Sequence, residues 1–168
     1  GDVYATHGLG PVCQVLDIHR GDKMEYLVSM STPSYNGKKI AEEMMGTEDF
    51  ANGDMTSTLI KTNKGKTILI QHNVYTPRPY DRLYQLTGTE GFANKYPYQG
   101  FTLKEENVPS DVIPDHEKLD EHGFVSNEVI DSLLVAYKHP IAKDIEEKAK
   151  SVGGHGGMDF IMDYRLIY

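Results

Sequence analysis

The chain has 168 residues, 39% of them apolar and 25% charged, which is the length and balance of one soluble globular domain and excludes a disordered or fibrous chain. Seventeen basic against 25 acidic residues leave a net charge of −8, which argues against nucleic-acid binding, because that rests on Lys and Arg neutralising phosphates. The single cysteine, Cys13, forms no internal disulfide. No run of about 18 apolar residues offers a membrane span, and the opening GDVYATHGLG lacks the basic and apolar regions of a signal peptide.

In chain order, Pro11 suits a first helical turn, Val12, Val15, Leu16 and His19 share one helix face, and Gly21 suits the position just past its end. This spacing predicts a first helix with His19 packed. MEYLVSMST at 24–32 reads as a strand ended by Pro33, and a short polar helix is expected around Lys38–Met45. TSTLIKT and TILIQHNV, joined by NKGK, predict a β-hairpin at 56–74. The prolines of TPRPY, 76–80, force an extended path, and RLYQLTGTEGFA, 82–93, reads as a further strand ending in a Gly-rich turn.

Residues 104–123 are acidic and aperiodic, and they are expected to form a surface loop. Ser126 is placed to cap a helix carrying Val129, Ile130, Leu133, Leu134 and Tyr137. His139-Pro140 starts a second helix, GGHGG at 153–157 breaks it, and MDFIMDYRLIY forms a third. The order of elements predicts an α+β fold, an open and largely antiparallel sheet with helices packed on one face. The strand–helix alternation of a parallel sheet is missing.

Two nucleotide-like motifs fail on spacing. GKT at 65–67 lacks the P-loop glycine, whose place Ile60 occupies, so it reads as a hairpin turn; GGHGG is not G-x-G-x-x-G and follows a helix, not a strand. The seven histidines include no H-x-x-x-H pair and no cysteine couple, so no metal site is expected. His116, His122 and His139 read as solvated residues in or beside loops.

Tyr4 and His7 differ, because i and i+3 residues converge on one side of a turn, and the glycines that follow leave room for a ligand. Together they supply a donor and an acceptor able to exchange a proton with a sugar or other polyol. A loop tyrosine beside a capping histidine is the alternative. QHNVYTPRPY makes a second candidate platform, with Arg78 and Tyr80 on stiff backbone at a strand end. His155 among its four glycines is placed either to meet an anion or hydroxyl at a helix start or merely to occupy a tight helix junction.

YATHGLGPVCQVLDIHRGDKMEYLVSMST, the QHNVYTPRPY segment with its GTEG turn, and the terminal GGHGGMDFIM together resemble the C-terminal domain of NAD-dependent family-109 glycoside hydrolases, within the wider Gfo/Idh/MocA oxidoreductase-like group. The resemblance covers essentially the whole chain. It implies that residues 1–168 are one C-terminal sugar-binding and catalytic domain, and that an N-terminal Rossmann domain holding NAD is absent from this chain. The isolated chain is then expected to bind no NAD and to be inactive.

In such a parent enzyme NAD⁺ takes hydride from C3 of the sugar, the ketone acidifies the C2 proton, the C1 group is eliminated, water adds and the hydride returns. The resemblance implies terminal α-linked N-acetylgalactosamine as the substrate and a bacterial periplasm or cell envelope as the location. By motif position, Tyr4 and His7 are the catalytic, sugar-contacting pair, with Tyr80, Arg78 and His155 as further substrate contacts. The alternatives are a sugar dehydrogenase of the same group, or a binding module that makes homo-oligomers through its open sheet.

Overall fold

The computed structural model describes residues 4–114 and 117–167, so His116 lies outside the described residues. The chain divides into two compact units, one ending at Arg82 and the other beginning at Leu83. The first contains α1 (Thr6–Val15), β1 (Met24–Ser31), α2 (Asn36–Met45), β2 (Met55–Thr62) and β3 (Thr67–Asn73). The second contains β4 (Gln85–Thr87), β5 (Gly91–Lys95), β6 (Gln99–Leu103), α3 (Asn127–Ala136), α4 (Pro140–Val152) and α5 (Met158–Ile167), with 3₁₀ turns at Glu105–Asn107 and His155–Gly157. The class is α+β, as expected, and its strands form two antiparallel three-stranded sheets, β1-β2-β3 and β4-β5-β6.

In β2 and β3 of the first sheet the two-residue period of strands decides which side chains are covered, whereas the edge strand β1 is exposed on both faces, Leu27 included. Leu27, Ser29 and Ser31 pair with Ile60, Thr58 and Thr56, which in turn pair with Ile68, Ile70 and His72, all on one face. Ile60, Ile68, Thr56 and Thr58 are buried there. The buried hydroxyls meet partners across the strands, Ser29 Oγ to Thr58 Oγ1 at 2.8 Å and Ser31 Oγ to Thr56 Oγ1 at 2.9 Å, as buried polar groups require. The opposite face presents Tyr26, Val28, Met30, Leu59 and Leu69, each more than half exposed. The expected hairpin is β2 and β3, and GKT lies in its turn.

Asp22 ties the loop after α1 to this hairpin. Its carboxylate accepts hydrogen bonds from Thr62 Oγ1 (2.8 Å), Lys23 N (2.8 Å) and Lys64 N (3.0 Å), and the Lys66 ammonium lies 3.4 Å away. Burial pushes this carboxyl up, but the bonds from Thr62, Lys64, Lys23 and Lys66 outweigh it and hold the group at about 2.

The same anchor corrects the expected first helix. It starts at Thr6, takes Pro11 into its interior, and ends at Val15. Beyond it Ile18 bridges Asp22, His19 N donates to Asp22 O at 2.7 Å, and Asp17 and His19 adopt φ of +56° and +66°. His19 is thereby turned out to solvent, not packed. The tight turn that brings Asp22 to the hairpin overrides the helical period of the sequence.

In the second unit Gly88 N donates to Gly91 O at 2.8 Å, so GTEG closes the β4–β5 turn. The strand β6, hidden in the sequence behind Tyr96-Pro97 and Gly100, is reached through a turn that Asn94 holds: its Nδ2 donates to Tyr96 O (3.2 Å) and Tyr98 O (2.8 Å). Val125, Val129 and Ile130 form the core with Phe101, Leu119 and Leu133, which packs α3 against β6. Ser126 caps α3 as expected, its Oγ accepting from Val129 N at 3.3 Å. His139, exposed as expected, caps α4 through Nδ1, which accepts from Ile141 N at 3.2 Å. The loop 104–123 is irregular apart from its one 3₁₀ turn among the described residues, yet it buries Val108 and Val112.

Candidate functional site

Tyr4 precedes α1 and His7 occupies its first turn, and the helix start brings the two rings together. Their centroids are 4.4 Å apart with planes 22° from parallel, and Tyr4 Oη lies 3.4 Å from His7 Nε2. Both side chains are exposed. Ring stacking fixes the phenol against the imidazole, so a proton donor and a proton acceptor are held side by side at the surface. Glycines at 8 and 10 follow directly, and a Cβ at either would meet nothing within 4 Å, so the first turns of the helix carry open space.

Arg78 and Tyr80 lie on the exposed, irregular segment after β3. Tyr80 is ordered by the Arg82 guanidinium, which sits 5.4 Å from its ring centroid, a cation–π contact. That contact was not legible in the spacing. Upstream, Asn73 Oδ1 accepts from Thr76 Oγ1 at 2.8 Å and Phe50 meets Tyr75 edge-on at 5.4 Å, which hold the start of the segment.

His155 belongs to the second unit. Four glycines with positive φ surround it, Gly153 (+90°), Gly154 (+73°), Gly156 (+70°) and Gly157 (+97°), and His155 itself stands at +48°. Gly157 is buried; a Cβ there would lie 2.7 Å from the Ala149 carbonyl carbon and 2.9 Å from Lys150 N, so only glycine lets α5 start this close to α4. This geometry brings Asp159, four residues on, to His155: Nδ1 lies 2.9 Å from Oδ2 and 3.1 Å from Oδ1. Asp159 escaped the reading of the sequence. The H-x-x-x-D spacing across a helix start was the available signal.

The second unit also carries an open cleft of about 220 Å³ at the GTEG turn, lined by Thr87, Glu90, Phe92, Thr102, Lys104 and Glu121 among others. Lys104 Nζ and Asn107 Nδ2 hold Glu90 Oε2 at 3.3 and 2.9 Å. Bonding by Lys104 draws the Glu90 carboxyl below its ordinary range and raises the Lys104 ammonium in return. The volume falls below the roughly 300–1,000 Å³ of typical small-molecule pockets. Among the described residues no three His, Cys, Asp or Glu side chains gather as metal ligands, and no helix is long and apolar enough to cross a membrane.

Comparison with known proteins adds the family. The model of the glycosyl hydrolase 109 C-terminal domain matches residues 1–168. The chain is 61% identical over its whole length to glycosyl hydrolase family 109 protein 1 of Bacteroides fragilis and to a glycosyl hydrolase family 109 protein of Porphyromonas gingivalis, and 58% identical to glycosyl hydrolase family 109 protein 1 of Bacteroides thetaiotaomicron. It spans 37%, 36% and 36% of those proteins respectively. The match over every residue of the chain establishes that it belongs to glycosyl hydrolase family 109, as the C-terminal domain.

Proposed function

We propose that this domain supplies the sugar-contacting surface of a glycoside hydrolase that cleaves terminal α-linked N-acetylgalactosamine with NAD as its cofactor. The observation that carries the reading is the stacked Tyr4–His7 pair, a hydroxyl and an imidazole nitrogen 3.4 Å apart and open to a ligand. A glycosidase working by two carboxylates needs acidic groups flanking the glycosidic oxygen. A proton-exchanging Tyr and His instead suit a reaction in which hydroxyl and ring-carbon protons move.

Both sheets among the described residues are antiparallel, which is consistent with a nucleotide held mainly by other parts of the parent protein. In this reading the rest of the parent protein holds NAD, which would supply reversible oxidation of the sugar. What this chain does is bind and hold protons. Tyr4 and His7 take and return a proton at a sugar hydroxyl or the adjoining carbon, and Tyr80, held by Arg82, offers an aromatic face and a phenol for the sugar ring, with Arg78 as a further polar contact; in the second unit, His155 offers an imidazole to a carbohydrate hydroxyl. The exposed apolar face of the first sheet, Tyr26, Val28, Met30, Leu59 and Leu69, supports an oligomer of the parent formed through that sheet.

The test is turnover by the full-length parent of an aryl α-N-acetylgalactosaminide, with NADH fluorescence followed alongside aglycone release. Aglycone release with no net NADH supports the hydrolase. NADH accumulating in proportion to substrate consumed, without aglycone, would favour a sugar dehydrogenase.

A further inference from the structure

We propose that Asp159 is a positioning residue: it accepts the Nδ1–H of His155, fixes the neutral imidazole in one tautomer, and leaves Nε2 as the hydrogen-bond acceptor for a hydroxyl of the bound carbohydrate. The inference rests on the carbohydrate reading above. It adds a residue and a direction to it.

Three observations carry the assignment. First, both carboxylate oxygens of Asp159 reach the same ring nitrogen, at 2.9 and 3.1 Å, so the imidazole plane is held at one edge only. An ionised carboxylate only accepts, and the nitrogen facing it must therefore carry the proton. The other nitrogen then has a free lone pair, and the His155 side chain is 76% exposed, so that lone pair meets whatever approaches. Second, the backbone is shaped around the dyad. A Cβ on Gly154 would lie 2.8 Å from Asp159 Oδ2, so glycine there leaves the carboxylate its place beside the ring, while glycine at 157 lets α5, which carries Asp159, start against α4. Third, His155 itself holds φ +48°, in the left-handed region that histidine enters more readily than most side chains, so the glycine-rich junction carries the ring without a break in the turn.

A bland ion pair at a helix start accounts for less of this. An exposed i,i+4 pair contributes little to stability, and a carboxylate in the first turn of α5 gains from the helix dipole without a histidine partner. Neither accounts for both carboxylate oxygens facing one ring nitrogen. Orienting an imidazole through its second nitrogen is the known use of such a contact, in metal sites and in acid–base catalysis alike.

Two measurements test it. In the 168-residue chain with ¹⁵N-labelled histidine, two-bond ¹H–¹⁵N correlation spectra at a pH where the ring is neutral should show His155 protonated at Nδ1, and Asp159→Asn should move it toward the Nε2–H form. In the full-length parent, Asp159→Asn should lower kcat/KM for the aryl α-N-acetylgalactosaminide by about 10–100-fold, the usual cost of losing an outer orienting partner. Asp159→Glu should recover part of the loss, and Asp159→Asn should add little once His155 is Gln. An Nε2–H tautomer in the unaltered chain, or a change in kcat/KM under about two-fold for Asp159→Asn, overturns the assignment. If the unaltered parent releases no aglycone, the hydrolase reading fails by itself. The dissociation constant for free N-acetylgalactosamine then decides: a several-fold weakening by Asp159→Asn upholds the positioning role and an unchanged value overturns it.

Discussion

Gly157→Ala is the sharpest structural perturbation of the GGHGG junction, because two separable costs fall on one methyl group. The residue stands at φ +97°, where a side chain is strained by about 1–3 kcal/mol. Its new Cβ would also lie 2.7 Å from Ala149 C, 2.9 Å from Lys150 N and 3.0 Å from Ala149 Cβ. These are backbone and near-backbone atoms that cannot rotate away, and relieving such overpacking costs a further ~1–3 kcal/mol. Gly156→Ala is the internal control: φ is +70°, but nothing lies within 4 Å of its Cβ, so only the first cost applies. The difference between the variants should be about 2 kcal/mol, which for a chain of this size is a gap in Tm of roughly 4–8 °C. Differential scanning calorimetry of both variants beside the unaltered chain measures it. Equal Tm values for the two variants would refute the reasoning, since the contact with α4 would then contribute nothing.

Two further outcomes follow from the same kind of reading. Because the Asp22 carboxyl is held at about 2 against an ordinary 3.8, its contribution to stability is fully present above about pH 4 and is lost as the pH falls toward 2; urea midpoints between pH 5 and pH 2.5 should therefore fall more steeply for the native chain than for Asp22→Asn, and parallel slopes would contradict the linkage. Val129 is completely buried among Val125, Ile130, Phe101, Leu119 and Leu133, so Val129→Ala, which removes two methylene equivalents at ~0.8 kcal/mol each and leaves a cavity, should cost about 2–3 kcal/mol in chemical denaturation. A loss under about 0.5 kcal/mol would show that this cluster is not the core of its unit.

The elements legible in the sequence were those whose signal is local. The β2–β3 hairpin announces itself by β-branched runs around NKGK, α3 by Ser126 and its apolar stripe, and the α4–α5 break by its glycines. The first helix was misplaced because its end is set by a contact 40 residues away, Asp22 to Thr62, which pulls His19 out of the helical period. β6 was hidden because Asn94 makes its turn through side-chain bonds to Tyr96 and Tyr98, a signal that composition does not carry. At the candidate site the i,i+3 spacing of Tyr4 and His7 was enough to anticipate their meeting. Arg82 over Tyr80 and Asp159 beside His155 needed the backbone path, since both depend on irregular or left-handed segments that no simple period describes.

The central claim is that Tyr4 and His7 act as one proton-exchanging unit on the sugar, and a double-mutant cycle on kcat/KM in the full-length parent tests it most directly. Tyr4→Phe and His7→Gln should each lower kcat/KM for the aryl α-N-acetylgalactosaminide by about 10²–10⁴-fold, and the double variant should lose little more than the worse single one, because either loss disables the unit. Single variants that keep kcat/KM within a few-fold of the unaltered enzyme would contradict the account.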